Sequence, residues 1–572
     1  MAKIDAERKI AGLLVPAFAL RREGDIGIGD TVSVIEAIDF LKAHHLSVLQ
    51  LLPINETSGD NSPYNAISSI ALEPSYIALL PDMVPGLTQA ILDKHVTAAF
   101  KKSSIVSGAV VEYPLIKKIK FAVLRDAFDE FVRGGQVGEL AAFKKEEADW
   151  LEDYALFRSL TDFHNGNSCW TMWPKEQSSP KLARAWVEGR QDLTGLIKDC
   201  EFYSYVQWVA FSQWAKVRMH ADRSGVALMG DIPFGVSRYS ADVWSNPQFF
   251  DLNWSGGAPP EKFFQSDEFT KRWGQNWGIP LYNWKNLEKD HYSFWTRRVR
   301  KCALIFNYFR IDHVLGFYRV YSFPWIPERN EEFAELTEEE AAELTGGLLP
   351  RFMERPDEPA ANAKLNCRQG EKLLKVILAA APECGVVAED LGLVPDYVRP
   401  SLAKLGIPGF TIPIFERNEK DRSFTPKEEH AKLSLVTYGT HDHQPIASFY
   451  EGLCRWWHGE NGHEGWLEVQ RLMTFLGLDE KEPPQSFTEE LHHTMIDVLL
   501  ESPSWLAVLM VSDLLGTTQR FNEPGIAGSS NWSSRLDMSL ADYAKDPRFS
   551  KPIAWLDQSI AASGRYSLAG AC

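Results

Sequence analysis

The chain has 572 residues, 45% hydrophobic and 24% charged, the proportions of a soluble globular protein with material for a large core. Its 77 acidic and 60 basic residues leave a net charge of -17, which disfavours a nucleic acid or an anionic membrane as partner and suits a neutral substrate. Seven cysteines, at 169, 200, 302, 367, 384, 454 and 572, form no CxxC pair, so reduced thiols in a cytoplasmic protein are expected, with no disulfide frame and no metal site.

The first residues, MAKIDAERKIAG, lack the apolar centre of a signal peptide, and no apolar run has the length of a bilayer span. Short, very apolar runs then punctuate the chain. The first two are Leu13–Leu20 and Ser47–Ile54. About 170 residues separate the second from the third, too many for one crossover helix, so an inserted subdomain is expected over 66–200. Its stretches Pro114–Arg133 and Gly138–Arg158 read as helices. A helix over Phe202–Ser224 precedes the third run, Val226–Pro233, and one over His291–Leu304 precedes the fourth, Ile305–His313. A second insertion spans Pro324–Arg368; its acidic segment ERNEEFAELTEEEAAELTGG reads as a solvated surface helix. A helix over Arg368–Ala381 precedes the fifth run, Gly385–Asp390. Gly409–Phe415, Leu433–Thr440 and Trp505–Ser512 complete the eight, and a last helix with a short tail follows residue 545.

Continuous apolar runs of this length are the pattern of parallel strands buried on both faces. Eight of them alternating with helices predict an α/β protein, a (β/α)8 TIM barrel with large, mainly helical insertions; an open doubly wound sheet is the alternative on pattern alone. Nothing after the eighth run resembles a C-terminal β-sandwich domain. The expected division is strands one and two in 1–65, the helical subdomain in 66–200, and strands three and four in 201–323, with an active-site loop over 245–285. An insertion follows in 324–368, and strands five to eight with the closing helix occupy 369–572.

A barrel keeps its chemistry at the carboxyl ends of its strands. There the third run carries Asp231, the fourth Arg310, Asp312 and His313, the fifth Glu389 and Asp390, the seventh His441 and Asp442, and the eighth Asp513. One acid after a strand is ordinarily a helix cap, and Asp390 and Asp513 keep that reading. Carboxylates from five strands on one rim exceed what caps explain. Cleaving a glycosidic bond with retention needs two carboxyl groups of different pKa about 5–5.5 Å apart. Asp312 and Glu389, on neighbouring strand ends, fit that need. Arg310, two residues before Asp312, shares its face of the strand and can hold it ionised. Glu389 must then keep its proton. Asp442 is placed to bind sugar hydroxyls, with His441 beside it, whereas His313 reads equally as a substrate contact or as a residue satisfied by its neighbours. Most of the 19 Trp, 17 Tyr and 32 Phe read as core, a few as platforms for the apolar face of a sugar ring.

These strand ends resemble the conserved regions of the α-amylase clan. A longer series of segments narrows the match: DNSPYNAISSIALEP (60–74), GDIPFGVSRYSADVW (230–244), WGIPLYNW (277–284), FRIDHVLGFYRVY (309–321), VAEDLGLVPDYV (387–398), LGIPGF (405–410), GTHD (439–442), SDLLG (512–516) and NEPGIAGSSNW (522–532). Together they are similar to glycoside hydrolase family 77, amylomaltases and disproportionating enzymes, over about residues 10–545. The resemblance implies a 4-α-glucanotransferase acting on maltooligosaccharides and α-1,4-glucans, with glucose or glucan as acceptor and no cofactor. It implies Asp312 as nucleophile, Glu389 as general acid/base and Asp442 as transition-state stabiliser. It further implies that Arg310, His441 and Asp231 support the sugar at the cleavage site, that Ser62, Tyr64 and Asn522 line the donor side, and that Trp277 stacks near the bond or on the acceptor side. The segment around Trp254–Trp277 would be the flexible loop over the cleft.

The chain departs from the family pattern where the usual Asn-Asp after GTHD is His443-Gln444, in QSDEFTKRWGQN over 265–276, and in 324–368. Three rival functions stay distinguishable. A hydrolase of the same clan would release one reducing end per cleavage. A non-catalytic glucan-binding protein would not need three placed carboxylates. A nucleotide-sugar glycosyltransferase would want a glycine-rich phosphate loop, and none is visible.

Overall fold

Each of the eight apolar runs forms one strand of a single parallel sheet in this computed structural model, which describes residues 4–135, 137–260, 267–479, 481–524 and 531–565. The strands are Ile10–Leu14, Val48–Gln50, Ala227–Ile232, Tyr308–Ile311, Gly385–Ala388, Gly409–Thr411, Ser434–Val436 and Leu506–Met510. They are called the first to eighth barrel strands below. The first pairs with both the second and the eighth, and every other neighbour in the sheet is also a neighbour in the chain. Between the fifth and sixth the seam is held by the Ala388 N–H donating to Pro408 O at 2.9 Å and by Asp390, whose Oδ1 accepts the Phe410 N–H at 2.6 Å. The sheet therefore closes into a barrel, and the open doubly wound alternative falls.

The strands are shorter than the apolar runs because each run continues into the turn that ends it. The first is displaced most. Its ladder stops at Leu14, since Pro16 has no N–H to give, and Ala17–Ala19 turn as a 3-10 helix. Alternate residues point inward. Ile10, Leu14, Val48, Met229, Tyr308, Val387, Phe410, Leu435 and Leu506 plug the barrel, and two residues after Met229, Tyr308 and Val387 come Asp231, Arg310 and Glu389. The same periodicity that fills the barrel with hydrocarbon thus lays a polar layer on top of it.

Helices pack outside. The longest, Thr194–Ser224, buries Phe202, Val206, Val209, Ala210, Gln213, Val217 and Ala221 at three- and four-residue spacing, and ends at Gly225 with φ 71°. Its Gln207 and Gln213 each exchange two hydrogen bonds with one backbone residue, Leu72 and Ala78, and so fix the segment that follows Tyr64. Helices Gln89–His95, Tyr113–Arg133, Gly138–Glu146, Ala148–Phe163 and Pro180–Val187 lie between the second and third barrel strands. Ser550–Ser563 is the last helix.

The stretch expected as a loop over 245–285 contains two strands. Phe250–Ala258 and Gln275–Tyr282 form an antiparallel hairpin, joined by Val320–Phe323 and Arg351–Met353 into a separate four-stranded sheet. Phe269, Trp273, Phe323, Trp325, Phe333 and Ala341 bury a small core between this sheet and the acidic helices Asn330–Phe333 and Glu338–Leu344. The segment 324–368 is therefore a sheet extension with its own core, and only its outer face is solvated. Gln265 and Ser266 of the unusual 265–276 stretch, residues 525–530 of the NEPGIAGSSNW segment, and the tail with Cys572 lie outside the described residues.

Candidate active site

Strand register assembles the site. Asp231 stands opposite Arg310 in the ladder of the third and fourth strands, and Arg310 opposite Val387 in that of the fourth and fifth. The last pair of the latter ladder is Ile311 with Ala388, so the next residues out are Asp312 and Glu389. Their backbones continue the ladder for one step: the Glu389 N–H donates to Ile311 O and the Asp312 N–H to Ile232 O, both at 3.0 Å. Parallel strands lie about 4.8 Å apart, so the two carboxyl groups leave the barrel rim side by side.

Arg310 is the centre of the cluster and is 4% exposed. Its Nη1 donates to Asp231 Oδ2 at 2.6 Å, and its Nη2 lies 2.8 Å from Asp312 Oδ1 and 3.9 Å from Glu389 Oε2. Those two distances laid end to end limit the gap between the Asp312 and Glu389 oxygens to about 6.7 Å. One planar guanidinium facing three carboxyl groups offsets negative charge that the rim could not otherwise hold. Asp231 also accepts the Tyr64 hydroxyl at 2.7 Å, and burial still pushes its carboxyl up to about 7 against the pull of Arg310.

Glu389 is set apart from Asp312 by its surroundings. Burial pushes its carboxyl up to about 8; Arg310 pulls down, the Asp312 charge adds to the push, and the His313 N–H pulls down again. It therefore keeps a proton near neutrality. Two backbone N–H groups hold it, that of His313 to Oε2 at 2.7 Å and that of Leu391 to Oε1 at 3.0 Å. The first needs an unusual backbone, since His313 has φ 44°, in the left-handed region. The His313 ring packs edge-on to Trp277, with centroids 4.8 Å apart, and against Phe234; burial lowers its pKa to about 4, so it is neutral. The His313 backbone thus holds Glu389, while its ring lies beside Trp277, within reach of a substrate in the mouth.

On the far side of the mouth, Tyr64 stacks on His441 with centroids 5.1 Å apart, and Trp532 lies 5.7 Å from both rings. His441 Nε2 is 3.3 Å from Asp442 Oδ1, and the Asn522 amide donates to the same oxygen at 2.6 Å. Burial alone would raise Asp442, but His441 and Asn522 outweigh it and hold the carboxyl below its usual range. Burial lowers the pKa of His441. Ser62 sits in the Tyr64 loop, its Oγ accepting the Tyr64 N–H at 3.3 Å, and is linked to Asp231 through that neighbour. Trp277, 38% exposed, stands on the hairpin above His313. Asp312, Glu389, Asp231, Arg310 and Tyr64 thus form one bonded group, and Asp442, His441 and Asn522 a second that touches it through the Tyr64 ring.

Two acids kept as caps have other partners. Asp390 is the clasp of the barrel seam and also pairs with Arg399. Asp513 lies within the short helix Val511–Leu515 and accepts the N–H of Ile446, the first residue of another helix, Ile446–Trp457. Sequence reasoning missed Trp532, which lies in a quoted segment, and Arg520, which carries no pattern of its own. Arg520 donates to the carbonyl oxygens of Asp442 and Asn522, both at 2.7 Å, fastening the second group.

The sequence profile of the 4-alpha-glucanotransferase family, glycoside hydrolase 77, matches residues 15–540. The chain is 31% identical to the 4-alpha-glucanotransferase of Chlamydia caviae over 557 residues, 95% of this chain and 93% of that one. It is 30% identical to that of Thermus thermophilus over 541 residues, 92% and 94%. Among solved structures, the amylomaltase of Streptococcus agalactiae in complex with acarbose superposes with a TM-score of 0.73 at 21% identity, covering 98% of this chain and all of that one. The amylomaltase of Corynebacterium glutamicum superposes with a TM-score of 0.75 at 19% identity, covering 97% and 75%. These two likenesses establish the barrel fold.

Proposed function

The chain belongs to the 4-alpha-glucanotransferases of glycoside hydrolase family 77, and from that premise we propose that it transfers α-1,4-glucan segments by a retaining double displacement through a covalent glucosyl-enzyme on Asp312. The observation that carries this reading is the short gap between Asp312 and Glu389, at most about 6.7 Å between oxygens that share Arg310 Nη2. That limit takes in the about 5–5.5 Å of a retaining pair and leaves out nearly all of the about 6.5–9.5 Å that an inverting pair needs to admit a water.

Glu389, held protonated by burial, donates to the glycosidic oxygen while Asp312 attacks the anomeric carbon. The C–O bond to the leaving fragment breaks, and that fragment departs with a free 4-hydroxyl. Glu389, now a carboxylate, takes the proton of an incoming acceptor 4-hydroxyl, whose oxygen displaces Asp312. Two inversions restore the α configuration, and the number of glycosidic bonds is unchanged. Asp442 stays ionised beside the developing oxocarbenium charge. Arg310, Asp231 and His441 hold the sugar at the cleavage site, Ser62, Tyr64 and Asn522 the donor side, and Trp277 the acceptor side. The substrates are maltooligosaccharides and larger α-1,4-glucans. The scattered free cysteines favour a cytoplasmic setting.

Incubation with maltotriose alone tests the activity: glucose and oligomers longer than the substrate should appear with no net gain of reducing ends. A gain of one reducing end per cleavage would make the enzyme a hydrolase. A fluorinated glucosyl donor that stalls the second step should leave its glycosyl mass on the peptide containing Asp312. Label on another residue, or none during turnover, would overturn the nucleophile assignment.

A further inference from the structure

His443 follows the Asp442 group by one residue, and its ring orientation is fixed by the backbone. The Thr440 N–H lies 3.0 Å from His443 Nδ1, and the Thr440 hydroxyl 2.9 Å from the same atom. A backbone N–H can only donate, so Nδ1 is an acceptor and carries no proton. Burial pushes the pKa of the ring down to about 4, with His441, Arg520 and Arg310 acting in the same direction and Asp442 against them. A neutral ring with a bare Nδ1 has its one proton on Nε2. Among the described residues Nε2 has no hydrogen-bond partner, and the residue is partly exposed. It leans on Phe415, with centroids 5.2 Å apart, and Phe415 is 56% exposed at the rim. The ring therefore borders the exposed face of Phe415.

The same contacts tie His443 to the catalytic loop. Thr440 Oγ accepts the Asp442 N–H at 3.3 Å while its own proton goes to His443. A Cβ on Gly439 would come within 2.8 Å of His443 Cβ, so the turn closes tightly on this side chain. Where the family pattern carries asparagine, this chain carries an imidazole whose outer nitrogen lies one bond farther from Cβ than an asparagine amide would.

We propose that His443 is a substrate-binding residue of this chain, its Nε2–H donating to a hydroxyl of a glucosyl unit seated beside Asp442. This rests on the glucanotransferase reading above. A sugar hydroxyl is the matching ligand, since the donor is single and neutral.

Two replacements separate the two ring nitrogens. His443→Asn keeps an acceptor where Nδ1 stands but loses the outer donor. His443→Gln places an amide near Nε2 but gives up the Thr440 contact. The expected result is a KM for maltotriose about three- to tenfold higher in H443N with kcat little changed, the signature of one lost neutral hydrogen bond. H443Q should keep KM near that of the parent enzyme while melting at a lower temperature. A parental KM in H443N overturns the proposal. Should either variant fail to fold, the parent enzyme with 15N-labelled histidine decides. Nδ1 of His443 must be unprotonated and the Nε2–H must exchange more slowly with glucan bound; a protonated Nδ1, or exchange unmoved by saturating maltotriose, overturns it. Failure of the parent enzyme to disproportionate maltotriose would instead remove the underlying activity, which these nitrogen measurements do not depend on.

Discussion

The backbone N–H of His313 donates a 2.7 Å hydrogen bond to Oε2 of Glu389, so the residue next to one carboxylate of the pair holds the other in place. That link and the Leu391 N–H steady a carboxyl group whose pKa burial has pushed up to about 8. If Glu389 supplies the proton, kcat/KM should fall as pH rises through about 8, because the free enzyme loses the acid there. The cluster around Arg310 titrates as a unit, so the limb belongs to the group as a whole. Glu389→Gln should lose about 10³-fold or more in kcat on natural glucans. A basic limb at an unchanged pH in that variant would remove Glu389 from the role.

The same shift has a sign in stability. Unfolded, Glu389 loses its proton near its ordinary value of 4.5; folded, it keeps it to about 8. Between those values the folded protein holds the extra proton, so each rise in pH favours the unfolded chain, and the penalty is complete above about 8. Glu389→Gln should therefore melt like the parent near pH 4.5 and above it by about 1–3 °C at pH 9. Melting curves at the two pH values check this. A variant less stable than the parent at pH 9 would mean that the two backbone donors outweigh burial.

Arg310 is the residue whose loss the site should tolerate least. Asp231, fully buried, pairs with it at 2.6 Å, and its Oδ1 has no partner among the described residues. Arg310→Met would leave that carboxylate beside Asp312 and Glu389 with no compensating cation. Breaking a buried pair from one side costs about 3–5 kcal/mol, and activity should vanish with it. Arg310→Lys is the informative companion. A single ammonium cannot reach Asp231 and Asp312 in the two directions a guanidinium does, so the chain should fold with activity reduced by about 10²-fold or more. Parental activity in Arg310→Lys would show that the charge alone suffices.

Much of this was legible in the sequence, and the residues say why. The eight strands announce themselves because a parallel barrel buries both faces and writes unbroken apolar runs. Asp312 and Glu389 stand side by side as expected, because both follow paired strands whose ends coincide with the family segments. The hairpin over 250–282 was not found: its first strand pairs with 320–323, some sixty residues on, which pairs in turn with 351–353, and its glycines and prolines read locally as loop. Arg520 was missed because it works through carbonyl oxygens of Asp442 and Asn522, a contact only the fold brings about. Asp390 and Asp513 were misjudged for a related reason. Each does accept a backbone N–H, but from another element, so position after a strand was a correct cue to the chemistry and a poor one to the partner.

Asn276 joins the hairpin to the neighbouring insertion and gives that sheet a testable role. Its Oδ1 accepts the Ser255 hydroxyl at 2.6 Å within the hairpin, and its Nδ2 donates to Trp325 O at 3.1 Å and Asn330 Oδ1 at 3.0 Å in the insertion. Trp277 is the next residue, and its indole meets His313 at the mouth. If the insertion sets the height of Trp277 over the acceptor side, Asn276→Ala should loosen the hairpin without disturbing the barrel. About 1–3 kcal/mol of buried hydrogen bonding is lost locally. The acceptor KM should rise several-fold, and because a loose cover admits water, hydrolysis should gain on transfer. Glucose release from maltotriose measured against reducing-end gain reads both effects. Trp277→Ala provides the reference. An Asn276→Ala enzyme with parental acceptor KM and parental transfer, beside a Trp277→Ala enzyme that has lost both, would mean that the hairpin needs no support from the insertion to keep its tryptophan in place.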